Sequence, residues 1–445
     1  MKRLALPVCA AAALAFAALA LSASSSTGPT FATAQRYPTG AGPNTIAVGD
    51  LNGDRKPDVV TSNENDGTIA VLLNRDGGRL SAPRLYDTGA IPYGVAIHDL
   101  NGDRKPDVVV ADYVDSGTVL VFLNKGSGAL ADPAVYPAGA SPVSVAFGDL
   151  DHDGHPDLAA ANTESRNVSV FINNGDGTFQ PRVNYATAAS PQSVQIGDLN
   201  GDGKPDLVTG SCSPAKIAVL LNKGDGTFGV RQEYSAAAEC SFRLALGDVN
   251  GDRKPDLVSA DMFGRYGATV LLNRGKGVFR PSGNYLALHG AQSVAIADLT
   301  GDGKPDLAFA TGFANSVSVL VNRGGGRFLP QLAYVTSPGS AQPVAAAIAD
   351  LNGDHRQDLA AVNYTNSKVS VLLNKPGVCN VQPVRLLTLA DAERALVRAN
   401  CRVGTIRHAY SKKVKAGLVL SQSPGFGLVG PRGGRVNLVV SLGRR

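Results

Sequence analysis

The chain has 445 residues, of which 44% are hydrophobic and only 6% aromatic, and its 51 glycines and 26 prolines are typical of a soluble globular protein with many tight turns. The formal net charge of +5 conceals an uneven distribution: residues 24–375 carry 28 Lys and Arg against 35 Asp and Glu, whereas residues 376–445 carry 12 against 2. This distribution argues against nucleic acid as the partner of the acidic body, and it favours cations there and an anionic polymer at the basic end.

Residues 1–23 have the pattern of a secretory signal peptide. Lys2 and Arg3 precede an apolar run from Leu4 to Leu21, and small residues around Ser22–Ala23 offer a cleavage site. A membrane anchor is the alternative, but the run is rich in alanine and barely long enough to span a bilayer. No later stretch is apolar enough to do so. We therefore expect a secreted protein, extracellular or associated with the cell wall, with no transmembrane segment after removal of the signal.

A nine-residue acidic pattern, Asp-x-Asn-x-Asp-x-x-x-Asp with Asp151 and Thr300 in place of the asparagine in repeats three and six, recurs seven times at steps of 49 to 52 residues. Such regularity is the signature of a repeat architecture. In repeat four, short apolar runs flank the acidic loop 198–206, and the turn Gly224-Asp225-Gly226 leads into a fourth run, Phe228–Tyr234. Each repeat is therefore predicted to be a four-stranded antiparallel meander, the blade of a β-propeller.

The ends of the repeat region predict how the propeller closes. Repeats one to six end in a strand that carries a tyrosine, such as Tyr185, but repeat seven runs directly into Pro376 and lacks this strand. A matching strand, Phe31–Tyr37, precedes repeat one and has no blade of its own. We expect it to complete blade seven, which removes exposed sheet edges. The predicted fold is all-β, a seven-bladed propeller over residues 31–375 closed by an N-terminal strand, with the tyrosines packing between blades.

Positions one, three, five and nine of each acidic loop offer oxygen ligands of the kind that Ca²⁺ prefers, and the carbonyl at position seven can add another. Lysine or arginine within the loop should point outward, away from the ion. An EF-hand is excluded, because the loop ends at position nine and a strand follows it. The alternative is a set of solvated turns, since Asp and Asn favour turns. The predicted ligands are Asp50, Asn52, Asp54, Asp58, Asp99, Asn101, Asp103, Asp107, Asp149, Asp151, Asp153, Asp157, Asp198, Asn200, Asp202, Asp206, Asp248, Asn250, Asp252, Asp256, Asp298, Thr300, Asp302, Asp306, Asp350, Asn352, Asp354 and Asp358.

Up to seven calcium ions follow from this pattern, and the sites should differ in affinity. Repeat three supplies four carboxylates and should bind most tightly, whereas repeat six has Thr300 at position three and should bind most weakly.

The segments Ser193–Asp206 and Asn173–Phe179 resemble FG-GAP/VCBS repeats, the units of integrin-α-like propellers. The resemblance covers residues 31–375. It implies that the acidic loops bind calcium. Repeat seven departs from the pattern by having Arg356-Gln357 where the other repeats have Lys-Pro or His-Pro.

Residues 376–445 differ in character from the repeats. Thr388 and Asp391 form a capping-box pattern that predicts a helix to about Asn400, followed by strands near residues 404–408, 417–422 and 436–440. The helix and the run Val436–Gly443 resemble a PASTA domain. This resemblance implies recognition of peptidoglycan, although a small spacing domain without a ligand is the alternative.

Four cysteines remain after removal of the signal, which allows two disulfides in an oxidising compartment. Cys379 and Cys401 flank the predicted helix and should pair, and Cys212 can pair with Cys240. A zinc site is the alternative, but no CxxC spacing supports it.

No catalytic motif is present, so we expect a monomeric binding or adhesion module whose partner is an extracellular protein or glycan. The least repetitive loop, in repeat five, could form a ligand rim for a sugar or peptide from Asp261, Phe263, Arg265 and Tyr266. A calcium-dependent carbohydrate-active enzyme, such as a polysaccharide lyase, is the alternative function.

Overall fold

The computed structural model describes residues 28–187, 189–212, 214–235, 243–263, 266–288 and 290–444. The predicted signal peptide, Cys240 and Arg265 lie outside these residues. In the described part of the chain, seven antiparallel sheets of four strands follow one another. These sheets are the blades predicted from the seven repeats.

Blades one to three contain β2 (Pro43–Gly49), β3 (Asp58–Asn63), β4 (Thr68–Leu72), β5 (Arg84–Asp87), β6 (Pro92–His98), β7 (Asp107–Asp112), β8 (Thr118–Phe122), β9 (Ala134–Pro137), β10 (Pro142–Gly148), β11 (Asp157–Asn162), β12 (Asn167–Phe171) and β13 (Val183–Ala186). Blades four and five contain β14 (Pro191–Gly197), β15 (Asp206–Ser211), β16 (Lys216–Leu220), β17 (Gln232–Ser235), β18 (Arg243–Gly247), β19 (Asp256–Ala260), β20 (Gly267–Asn273) and β21 (Phe279–Leu286). Blade six contains β22 (Ala291–Ala297), β23 (Asp306–Thr311), β24 (Ser316–Leu320) and β27 (Leu332–Val335), with β25 (Asn322–Gly324) and β26 (Arg327–Phe328) as a separate hairpin. Blade seven contains β28 (Pro343–Ala349), β29 (Asp358–Asn363), β30 (Lys368–Leu372) and β1 (Gln35–Pro38).

The strands of a blade differ in how deeply they are buried. The second and third strands are buried on both faces, because they lie between neighbouring blades, and their sequences are nearly continuous apolar runs. The fourth strand is mostly exposed in blade three, whereas the fourth strand of blade six, β27, is buried. In blade four this strand is Gln232–Ser235, shorter than the predicted Phe228–Tyr234, since Phe228 forms only an isolated bridge with Asn222.

The N-terminal strand lies in blade seven, where the sequence places it. β1 pairs antiparallel with β30, and Tyr37 lies opposite Val369. Before it, Phe31 bridges Asn374 in the way that Phe179 bridges Asn173 in blade three. Both ends of the repeat region therefore contribute strands to one sheet.

The tyrosines of the fourth strands pack between blades. The ring of Tyr185 lies 5.1 Å from that of Phe228 in the next blade, edge to face, and the Tyr234 hydroxyl donates to the carbonyl of Gly277 at 2.9 Å. In blade six the partner of Tyr334 is Phe31, at 4.7 Å. Phe31, from the start of the chain, thus occupies the position that a phenylalanine of the next repeat occupies beside Tyr185.

The C-terminal domain contains β31 (Val378–Asn380), α1 (Leu389–Arg398), β32 (Arg402–Ala409), β33 (Val419–Ser423), β34 (Val429–Pro431) and β35 (Arg435–Ser441). Thr388 caps α1 and accepts from the amide of Asp391, as predicted. The helix ends at Arg398, two residues before the predicted end. The pairing of β31 with β34 was not anticipated.

This domain is docked against blades six and seven. Gln382 exchanges two hydrogen bonds with the backbone of Ala333 on β27, at 2.7 and 3.2 Å. Asn380 does the same with the backbone of Phe31, at 3.0 and 2.8 Å. One apolar cluster is continuous across both domains, and it includes Leu332 and Leu396. Among the described residues, no helix has the length and apolar character needed to cross a membrane.

Candidate metal centres

The acidic loops lie between the first two strands of each blade, and the backbone of each loop wraps around its first aspartate. In repeat one, Oδ1 of Asp50 accepts from the amide of Gly53 at 2.7 Å, and Oδ2 accepts from the amide of Arg55 at 2.6 Å. Gly53 and Arg55 have φ values of 80° and 65°, which turn their amides toward this carboxylate. The left-handed backbone at positions four and six explains why glycine is frequent there.

Repeat three brings three predicted ligands together. Asp149, Asp151 and Asp153 each place a carboxylate oxygen within 4.8 Å of the others. Burial, followed by the neighbouring carboxylates of Asp153 and Asp149, raises the pKa of Asp151. Among the described residues, Oδ1 of Asp149 is buried without a hydrogen-bond partner, and so is Oδ1 of Asp99 in repeat two. Converging carboxylates with a buried, unpartnered oxygen have the donor chemistry that a hard divalent cation requires.

The aspartate at position nine is not one of these three converging residues, and it accepts hydrogen bonds from backbone amides. Asp157 is fully buried, its Oδ2 accepts from the amide of Leu150 at 2.7 Å, and its Oδ1 accepts from the amide of Asn173 at 2.8 Å. Burial raises its pKa to about 6, although these two backbone bonds oppose the shift. Each oxygen retains a second lone pair, so the residue could still contribute to a cation.

The lysines at position seven of repeats two, five and six turn back onto the carboxylate at position five, contrary to the prediction that loop cations point outward, whereas Lys204 of repeat four donates to the carbonyl of Lys223. Lys105 folds back so that its Nζ lies 2.9 Å from Asp103, and Lys304 lies 2.8 Å from Asp302 in the same way. A lysine in this place competes with a cation for the carboxylate at position five. Repeat three has His155 at position seven, so its triad lacks this competitor.

A ring of asparagines joins each loop to the next blade, and the sequence analysis did not identify it. Nδ2 of Asn173 donates to the carbonyl of Leu100, in the acidic loop of blade two, at 2.8 Å, and to that of Pro156 at 3.0 Å. Asn74 connects blade one to Leu351 of blade seven at 2.8 Å. The feature of the sequence that could have revealed this ring is an asparagine that follows the third strand of each blade. The members of the ring are Asn74, Asn124, Asn173, Asn222, Asn273, Asn322 and Asn374.

The structure describes three residues of the predicted ligand rim, Asp261, Phe263 and Tyr266, and the rim remains a prediction. Asp261 is buried and accepts from the amide of Phe263 at 3.3 Å, which is a turn contact. Phe263 is 65% exposed, whereas Tyr266 lines a cleft toward the C-terminal domain. On the first strands of the blades, the guanidinium carbon of Arg243 lies 5.7 Å from the ring centroid of Tyr93, and its Nη2 donates to the hydroxyl of Thr45 in blade one at 3.4 Å.

The cysteines follow the predicted disulfide pattern as far as the structure describes them. Cys379 and Cys401 form a disulfide. Cys212 is also disulfide-bonded, and its predicted partner Cys240 lies outside the described residues.

Comparison with protein families identifies both parts of the chain. Six overlapping segments match the FG-GAP-like repeat: residues 50–110, 99–160, 150–209, 198–259, 248–309 and 298–361. Residues 381–442 match the PASTA domain. Repeats of the first kind together with a PASTA domain suggest a binding module. None of the curated proteins compared with the chain matches it.

Solved structures similar to this chain have propeller-like folds. An Agrocybe aegerita lectin, described as recognising non-reducing terminal N-acetylglucosamine, is 20% identical over 73% of this chain and 86% of its own, with a TM-score of 0.51. BBS1N in complex with ARL6DN is 13% identical, covers 78% of this chain and 98% of its own, and has a TM-score of 0.56. An inactive virginiamycin B lyase from Staphylococcus aureus with quinupristin is 14% identical over 76% and 98%, with a TM-score of 0.51. Likeness at these identities shows the fold alone.

Proposed function

The chain belongs to the FG-GAP-like repeat family, and from that premise we propose that it is a secreted, calcium-binding propeller that acts as a binding module without catalysis of its own. In this proposal calcium is held by the acidic loops, and binding to an extracellular partner uses the rest of the surface. The PASTA domain directs the protein to the cell wall.

The observation that carries the calcium proposal is the carboxylate triad of repeat three. Asp149, Asp151 and Asp153 converge within 4.8 Å, and the buried Oδ1 of Asp149 has no hydrogen-bond partner among the described residues. Without a cation, three converging negative charges repel one another, and a buried oxygen loses its solvation. A divalent ion would neutralise the charge and hold the loop rigid. The side chains at positions one, three and five would supply its ligands, with the carbonyl at position seven.

Calcium titration of the purified protein tests this proposal. We expect bound calcium after dialysis and a lower melting temperature in EDTA. Asp153→Asn should weaken the tightest site roughly tenfold, because it removes one charged ligand. Asp132→Asn removes the same charge from an exposed position outside the loops and is the matched control. Metal analysis that finds no bound calcium, together with a melting temperature that EDTA does not change, would contradict the proposal.

Two features support an extracellular glycan as the partner. PASTA domains in general bind peptidoglycan-like ligands, and this one lies in a segment with 12 basic residues and 2 acidic ones, which suits an anionic polymer. Co-sedimentation of the full chain with peptidoglycan, and a glycan array with and without chelator, test this part. Products that absorb ultraviolet light and shorter polymer chains would instead identify a lyase. Retention on no glycan and no wall preparation would remove the wall-binding role.

A further inference from the structure

A cleft of about 500 Å³ lies between the propeller and the C-terminal domain. Blades five and six form one wall, with Tyr266, Tyr285 and Leu286, and helix α1 forms the other, with Arg394 and Arg398. Ligand sites are frequent at domain interfaces, and this volume lies within their usual range.

The helix wall carries a net positive charge, from Arg394 and Arg398 against Asp391. Arg394 and Arg398 are one turn apart and therefore lie on the same face of α1. Arg394 donates to Asp391 at 2.6 Å, and its side chain is 67% exposed. Among the described residues, the Nε atom of Arg398 is buried without a hydrogen-bond partner. Burial, with a smaller effect of Arg394, lowers the pKa of the Arg398 guanidinium. Arg398 as a whole is half-buried and lines the cleft, so its guanidinium is only partly solvated and an anion in the cleft would compensate its charge.

The propeller wall offers apolar and aromatic surface beside polar groups. Tyr285 packs against Phe328 at 5.2 Å, and its hydroxyl donates to Gly326 at 3.1 Å, so the ring is held in place. Leu286 is 61% exposed, although it lines the cleft. Asn284 and Gln331 add amide groups to the same wall.

We propose that this cleft binds an acidic saccharide, a pyranose ring that carries a carboxylate. The ring would lie against Tyr285 and Leu286, the carboxylate would pair with the guanidinium groups of α1, and hydroxyls would reach the amides. This proposal rests on the proposed function only because it takes the protein to be a binding module. It does not require calcium in the loops. Glucuronate in a polysaccharide and muramic acid in the cell wall both have the required chemistry.

Isothermal titration of the full chain in calcium-saturated buffer tests the proposal. The probe is a tetrasaccharide of alternating glucuronate and N-acetylglucosamine, and the neutral comparison is chitotetraose. The acidic probe should bind at least about tenfold more tightly, since charged hydrogen bonds are stronger than neutral ones. The disaccharide of N-acetylglucosamine and muramic acid is the second probe. The tighter of the two acidic probes indicates the natural source.

Substitutions of the arginines on the helix wall distinguish binding in the cleft from binding at other surfaces of the protein. Arg398→Ala should weaken binding of the acidic tetrasaccharide about ten- to a hundredfold. Arg398→Lys should have a smaller effect, because it keeps the charge but loses the planar fork. Arg435→Ala changes an exposed arginine of β35 outside the cleft and should bind as the wild type does.

Circular dichroism and melting temperature check that each variant folds. If Arg398→Ala misfolds, Arg394→Ala carries the test, since its side chain is largely exposed. Equal binding of chitotetraose and the acidic probe, or wild-type affinity in both variants, overturns the cleft assignment. Because calcium binding and wall co-sedimentation are measured separately, that failure would leave the proposed function intact.

Discussion

The asparagine ring predicts a large effect of a one-atom substitution, Asn173→Asp. Asn173 is 1% exposed, and its Nδ2 donates to the carbonyls of Leu100 and Pro156. In the aspartate variant an oxygen replaces this donor, so the buried carbonyl of Leu100 and the half-buried carbonyl of Pro156 lose their partner and face a negative charge. Each lost bond contributes about 1 kcal/mol, and each unsatisfied buried carbonyl adds about 1 kcal/mol or more. We expect the free energy of unfolding to fall by about 3–5 kcal/mol.

Asn174→Asp is the matched control in the adjacent position. Asn174 is exposed and its side-chain amide donates to the exposed hydroxyl of Thr178, at 2.9 Å, so the same change should cost less than about 0.5 kcal/mol. Urea unfolding in saturating calcium measures both variants, with fluorescence and circular dichroism as probes. If the two variants differ in stability by less than about 1 kcal/mol, the asparagine ring does not hold the blades together.

Three further changes test other parts of the fold. Phe31→Ala should lower the free energy of unfolding by about 3–5 kcal/mol, because it empties the buried position against blade six, whereas Phe263→Ala at an exposed position should change it little in urea unfolding. In chelator, six of the position-nine aspartates have pKa values raised from 3.8 to about 6. A raised carboxyl pKa means that the native state binds protons more tightly than the unfolded state, so the melting temperature in EDTA should fall as pH rises from about 4 to about 6. Calcium affinity should rise over the same interval, because the carboxylates lose their protons. A melting temperature in EDTA that rises with pH would contradict this reasoning. Replacing Cys379 and Cys401 by serine opens a loop of 22 residues and should destabilise the C-terminal domain by about 3 kcal/mol in calorimetry, and an unchanged transition would show that docking alone holds it.

The local pattern of the chain was sufficient to predict most of the architecture. The spacing of the acidic loops predicts seven blades, and the missing fourth strand of repeat seven correctly assigns β1 to that blade. The capping pattern at Thr388 predicts the start of α1. These predictions succeed because strands, turns and caps depend on residues that lie within one repeat or one helical turn.

Contacts between repeats required the tertiary structure. Asn173 and Leu100 are 73 residues apart, and Arg398 meets the wall formed by Tyr285 only because the C-terminal domain docks on blade six. The same limit applies to Asp157, which the pattern groups with the calcium ligands: only the folded chain shows that it is buried and accepts from two backbone amides. The sequence by itself determined the repeats, the acidic loops and the strand that completes blade seven, since each is a periodic or local property. Which carboxylates converge, which polar atoms are buried, and where a cleft forms depend on how neighbouring blades and domains meet, and only the folded chain decides these features.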